Sequence, residues 1–107
     1  MLQEVRDAQM KVMTDLRSVI TANEDLIRST PMVAEVNYDH ILWLVETGMD
    51  NNQRNPVDKT GRWIGFIQCA LIVRGILDTT EARNQTRALF HAAYLATGQE
   101  IPPTLNP

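Results

Sequence analysis

The chain is poor in the residues from which small reactive or cross-linked sites are built. A single cysteine, Cys69, among 107 residues allows no internal disulfide and no cysteine-based zinc cluster. The two histidines, His40 and His91, lie far apart, and no His-x-x-x-His, Glu-x-x-His or Cys-x-x-Cys spacing occurs, so neither a metal site nor a cofactor is expected. There is no glycine-rich phosphate loop, no nucleophile elbow and no readable carboxylate dyad, and an enzyme therefore has little to stand on. No stretch approaches the roughly 20 apolar residues of a membrane span. The N-terminal Met-Leu-Gln-Glu-Val-Arg-Asp places charges where a signal peptide needs an apolar run, so a cytoplasmic protein is expected. Ten Lys and Arg against thirteen Asp and Glu give a net charge of −3, which argues against direct nucleic-acid binding as the main role.

What is present suits one globular unit. With 44% hydrophobic and 21% charged residues, the chain can build a core, and its length is that of a single domain. The patterning predicts an all-α fold: a small bundle of about four helices, with a long N-terminal helix over 1–29, a helical core over 30–98 and an extended proline-rich tail over 99–107. Val5, Val12, Val19 and Leu26 repeat every seven residues, with Met13, Ile20 and Ile27 beside them, which is a seam of coiled-coil type. Leu2 and Leu16 share a heptad column with Gln9 and Asn23, polar positions that cost stability and fix register. A helix of about 28 residues is roughly 42 Å long, more than a small bundle needs, so part of it is expected to pair with another copy of the chain.

Local signals set the remaining boundaries. Thr30-Pro31 reads as the cap and first residue of a second helix running to about Met49, with Val33, Val36, Ile41, Leu44 and Val45 inward. Asp50 to Asn55 has no apolar residue and reads as a loop; Asn55-Pro56 then starts a third helix to about Leu77, so apolar that it is expected to be central. Asp78-Thr79-Thr80-Glu81 has the spacing of a capping box and opens a fourth helix ending near Gly98, with Ala82, Thr86, Leu89, Phe90 and Ala93 inward. The third and fourth helices are expected to form a hairpin covered by the second. Gly65, costly inside a helix, is expected to mark a close helix crossing, and Cys69 to be a small buried hydrophobe. Trp63 and Phe66, with Arg62, read as core or as an aromatic and cationic platform.

Charge is polarised along the chain. The first fifty residues carry a balance of −5 and the remainder +2. Arg83, Arg87 and His91 fall one turn apart on the fourth helix, and Tyr94 follows within a turn. Two arginines at that spacing repel unless something negative lies between them. A guanidinium holds phosphate or carboxylate in a bidentate fork, and His91 with Tyr94 offers a donor and a flat surface for a base. Arg62, Arg83, Arg87, His91 and Tyr94 are therefore the candidate ligand-binding residues. The competing reading is a solvated stripe, or one paired with Glu35, Asp39 and Glu46.

Lys59-Thr60-Gly61-Arg62-Trp63-Ile64-Gly65-Phe66-Ile67-Gln68, followed by Glu81-Ala82-Arg83 and Thr86-Arg87-Ala88-Leu89-Phe90-His91, resembles a family of small accessory proteins of tailed bacteriophages. The likeness spans about residues 59–94 and leaves the first helix outside it. Cys69 stands where a glycine is common in the family, and Ala88 where a proline is. The resemblance implies a phage genome and action in the bacterial cytoplasm, where small non-enzymatic helical proteins commonly antagonise host enzymes or antiviral systems. It supplies no catalytic residues. The expectation is a non-enzymatic inhibitor that sequesters an anionic small molecule or blocks a host protein surface, the latter through acids such as Asp15, Glu24, Asp25, Glu35 and Asp39. A structural or assembly role in the virion is the alternative, suggested by the seam and the tail.

Overall fold

The computed structural model describes residues 3–96 and 98, and among these the protein is all-helical. The expected tail over 99–107 lies outside the described residues. Five α-helices follow in order: α1 (Gln3–Ala22), α2 (Glu24–Arg28), α3 (Tyr38–Asp50), α4 (Val57–Ile72) and α5 (Thr79–Ala96), with one 3-10 turn at Ala34–Val36. None of them is long and apolar enough to cross a membrane.

The centre is α1, not the third helix of the sequence reading. Val5, Ala8, Gln9, Val12, Met13, Leu16 and Ile20 are buried along one stripe, at the three-and-four spacing of an inward helical face. That stripe packs against α3, α4 and α5 of its own chain, so most of the seam expected to reach a second copy faces the chain's own core, while Leu26 at its end is 48% exposed. Met13, Ile20, Ile27, Ile41, Val45, Ile67 and Leu71 are almost wholly inaccessible and form the main core. A smaller cluster of Val5, Ala8 and Ala93 closes the other end of α1 against α5.

The long first helix breaks at Asn23. Its Nδ2 donates to the Val19 carbonyl at 2.7 Å, one of the side-chain bonds that compete with helix continuation, and α2 resumes as a short segment that buries only Ile27. Thr30 does not cap a following helix: its hydroxyl donates back to the Leu26 carbonyl at 2.7 Å and helps close α2. The start of α3 is set instead by Asn37, whose side-chain oxygen accepts from the His40 amide at 3.0 Å. Arg28 clasps the two helices, with its guanidinium 4.4 Å from the Tyr38 ring centre and bonded to Glu24 and Asp39. Burial, aided by the Glu24 carboxylate, pushes the Tyr38 phenol above its ordinary pKa.

Two further departures follow from how helices end. Arg6 reaches from α1 to the carbonyls of Asn52 and Asn55, and Asn52 returns a bond to the Arg6 carbonyl, so the polar loop is pinned before α4 begins after Pro56. At the other end α4 stops at Ile72, not Leu77. Gly75 has φ 73°, its amide donates to the Ile72 carbonyl, and the Ile76 amide donates to the Leu71 carbonyl. That pair of bonds is the Schellman closure, in which a left-handed glycine satisfies the last carbonyls. As expected, Asp78 caps α5, accepting from the Glu81 amide at 2.9 Å.

α4 and α5 do not form the expected hairpin. Each lies against α1, with little close approach between them, and Gln68 Nε2 bonds Thr86 Oγ1 across the gap at 3.0 Å. The molecule is accordingly a slab of 45 × 33 × 20 Å, about two helix diameters thick. α4, expected to be central, has one open face: Gly65, Phe66 and Cys69 on it, and Val73 just after its end, are exposed. Gly65 has nothing within 4 Å of where a Cβ would stand. The glycine that permits close packing is Gly48, where a Cβ would lie 2.7 Å from the Met13 methyl carbon and 3.5 Å from the Trp63 ring. Gly65→Ala should therefore stabilise the protein by about 1 kcal/mol through helix propensity, whereas Gly48→Ala should gain nothing because Met13 must move. Thermal or urea unfolding of the two variants checks this; a destabilised Gly65→Ala would contradict an open face.

Candidate functional site

The five candidate residues divide once they are placed. Arg87, His91 and Tyr94 lie on successive turns of α5 and together line one groove of about 400 Å³. Its opposite walls are Val5 and Gln9 of α1 and Val57, Asp58 and Gly61 from the first turns of α4, with Phe90 of α5 between. Arg83, one turn earlier, is exposed and stands outside the groove. Arg62 also stands outside it and is held by Asp58 at 3.0 Å across one turn. The expected five-residue site is thus a three-residue wall, and its missing sides come from α1 and α4.

The pattern of ion pairs separates these cations from the others. Arg17 meets Glu46 at 3.4 Å, Arg28 meets Glu24 and Asp39, Arg54 meets Asp50, and Lys11 meets Asp15. Arg6 and Arg74 donate to backbone carbonyls, and burial lowers the Arg74 pKa from its ordinary value. Arg83 and Arg87 have neither a hydrogen bond nor an ion pair among the described residues. Of the three acids that the solvated-stripe reading offered them, Asp39 is engaged with Arg28 and Glu46 with Arg17, while Glu35 pairs with neither arginine. Arg87 is also partly withdrawn from solvent, where charge interactions are screened less than on the open surface.

Gln9 is the groove residue that sequence reasoning passed over as a site. It is 2% exposed, and its Nε2 donates to the Val57 carbonyl at 2.8 Å, tying α1 to the start of α4. Its Oε1 is buried and has no partner among the described residues. The signal was visible as a polar residue in an apolar heptad column, but it read as a determinant of register. Because Val57, Asp58 and the residues after them begin a 16-residue helix, that wall of the groove is also the positive end of a helix dipole.

A second surface gathers aromatic groups. Trp43 is 53% exposed; His40 stacks on it at 5.9 Å and 24°, and Trp63 lies beneath at 6.0 Å. Lys59 Nζ is 5.4 Å from the centre of the Trp63 ring. The two readings of the aromatic segment are therefore both partly met, since Trp63 packs on the core and Phe66 is 41% exposed. A third groove, about 650 Å³ and mainly apolar, runs between α1 and α5 past Val12, Leu16, Leu77 and Leu89. Among the described residues no three His, Cys, Asp or Glu side chains converge as metal ligands would.

Comparison with protein-family models, with curated proteins and with solved structures finds no match. Cys69, expected to be buried, is exposed on the open face of α4. A thiol-specific chromogenic reagent should therefore titrate one thiol per native chain without denaturant; a thiol that reacts only after unfolding would show that this face is covered in solution.

Proposed function

We propose that the protein is a non-enzymatic binding protein that sequesters an anionic small molecule in the groove of Arg87, His91 and Tyr94. The observation that carries this reading is Arg87, a partly buried guanidinium on the groove wall with no carboxylate partner among the described residues. Arginine offers a fork of donors whose geometry matches phosphate or carboxylate, and the α4 N-terminus adds favourable potential for negative charge. Val5, Val57 and Phe90 supply apolar surface for the body of the ligand. Pockets of this size and mixed lining are the usual form of small-ligand sites.

The resemblance to phage accessory proteins gives the binding a purpose: action in the host bacterial cytoplasm, against an enzyme or antiviral system that uses the captured molecule. In the competing version acids of the N-terminal half block a basic host surface; of the five named for it, Asp15, Glu24 and Asp39 are paired within the chain, which leaves Asp25 and Glu35. Assembly through the first helix, in a homo-oligomer or a virion, is the second reading; most of the seam it would use packs on the chain's own core, which leaves Leu26 exposed for it.

Native mass spectrometry of gently purified protein, followed by calorimetric titration with phosphate-bearing metabolites, tests the reading. A retained small mass, or a measurable heat, is expected. Arg87→Glu should remove binding, because a lost charged hydrogen bond alone costs about 1.5–3 kcal/mol, roughly ten- to a hundredfold in affinity. Arg62→Ala should weaken binding by no more than about twofold, through the groove-lining Asp58 carboxylate that it leaves unpaired, because an exposed ion pair of this kind is worth little. A protein that carries no anion and titrates with none would overturn the proposal.

A further inference from the structure

From the groove between α1 and α5, we infer a second binding site, one for a small amphiphilic cation: an aliphatic body lies between the two helices, and its ammonium group is held by Asp78 and Glu81. The site is independent of the anion groove, with which it shares no lining residue. Its volume of about 650 Å³ is that of a small-molecule site, and its lining is mainly apolar, from Val12, Leu16 and Val19 of α1 across to Leu77 and Leu89. These five side chains are recessed. Val12 and Leu16 are buried and the other three half-buried, unlike the apolar groups displayed at the surface such as Val33 and Leu95. A protein partner seats on displayed side chains, whereas recessed ones receive a molecule small enough to enter.

Charge decides what kind of molecule that is. Four ionisable side chains line the groove: Lys11, Asp15, Asp78 and Glu81. Lys11 Nζ pairs with Asp15 at 2.7 Å, so these two cancel and no free cation remains for a carboxylate or phosphate head. Asp78 and Glu81 lie one turn apart where α5 begins, and neither has an ion pair among the described residues. Asp78 accepts from the Glu81 amide at 2.9 Å, and the helix terminus offers the pair the equivalent of only about half a positive charge. Roughly one and a half negative charges therefore stay uncompensated beside an apolar space. An ammonium group on an aliphatic chain answers both features, whereas an alcohol answers the apolar one alone and an anion is repelled.

Calorimetric titration of the full chain at low ionic strength with hexylamine, heptylamine, octylamine and nonylamine, each below its micelle concentration, tests the inference. 1-Nonanol and nonanoate serve as the neutral and anionic counterparts. Affinity should rise about fourfold per added methylene. Nonylamine should bind about two- to fivefold more tightly than nonanol, the range of exposed ion pairs, and more tightly still than nonanoate. Asp78→Asn combined with Glu81→Gln should remove the amine's advantage and keep the dependence on chain length, since asparagine caps a helix as well as aspartate does. The wild-type series decides without the variant, so a variant that fails to fold leaves the test intact. Nuclear magnetic resonance should show nonylamine shifting the methyl signals of Val12 and Leu89. Absence of binding, affinity independent of chain length, equal affinities for amine and alcohol, or shifts confined to the Trp43 surface or the Arg87 groove would each overturn the inference.

Discussion

Everything in this fold depends on one apolar stripe. The inward face of α1 is the only surface that α3, α4 and α5 all share, because α4 and α5 scarcely approach each other. Met13 and Ile20, both fully inaccessible, are the points at which that dependence is most concentrated. The stripe serves three neighbours at once, so its residues answer to several packing surfaces. Gly48 illustrates the constraint, since the Met13 side chain occupies the space in which any larger residue there would sit. A helix in this position has most of its apolar stripe covered within its own chain.

The sequence carried most of the helices and few of their partners. Heptad spacing in α1 and the Asp78 capping box depend on contacts within a few residues, and both are visible as patterns. The break at Asn23, the Asn37 cap and the Gly75 closure are also local, but each competed with a stronger signal: the continuing seam, the Thr30-Pro31 pair, and an apolar run that continues past Ile72. Gly65 and Cys69 depart from their pattern for another reason. An apolar helix with one covered face and one open face has the same composition as a helix covered all round, and only tertiary placement separates them. The division of Arg62 from Arg87 is likewise invisible in spacing, because it depends on Asp58 answering one of them and no acid answering the other.

Half of the candidate site was legible for a definable reason. Arg87, His91 and Tyr94 share a helix, and helical periodicity places them together whatever the rest of the chain does. The opposing wall comes from residues 5–9 and 57–61, whose meeting with α5 depends on the loop that Arg6 pins and on the antiparallel lie of α5 along α1. No local pattern announces such a meeting. Gln9 is the clearest case: the same feature, a polar side chain within a seam, serves register in one setting and ties two helices together in another. What decides between them is the Val57 carbonyl, forty-eight positions away.

α5 buries a single residue fully, Ala93, and is held mainly along one side by α1. Its docking rests on little fully buried surface, the condition under which a helix can open locally at a lower free energy than global unfolding. Both larger grooves lie along this helix. Any molecule seated in either one bridges α5 to α1, and mass action then favours the docked state in proportion to occupancy. Occupancy of a groove and the slowing of amide exchange along α5 are thus two readings of one equilibrium.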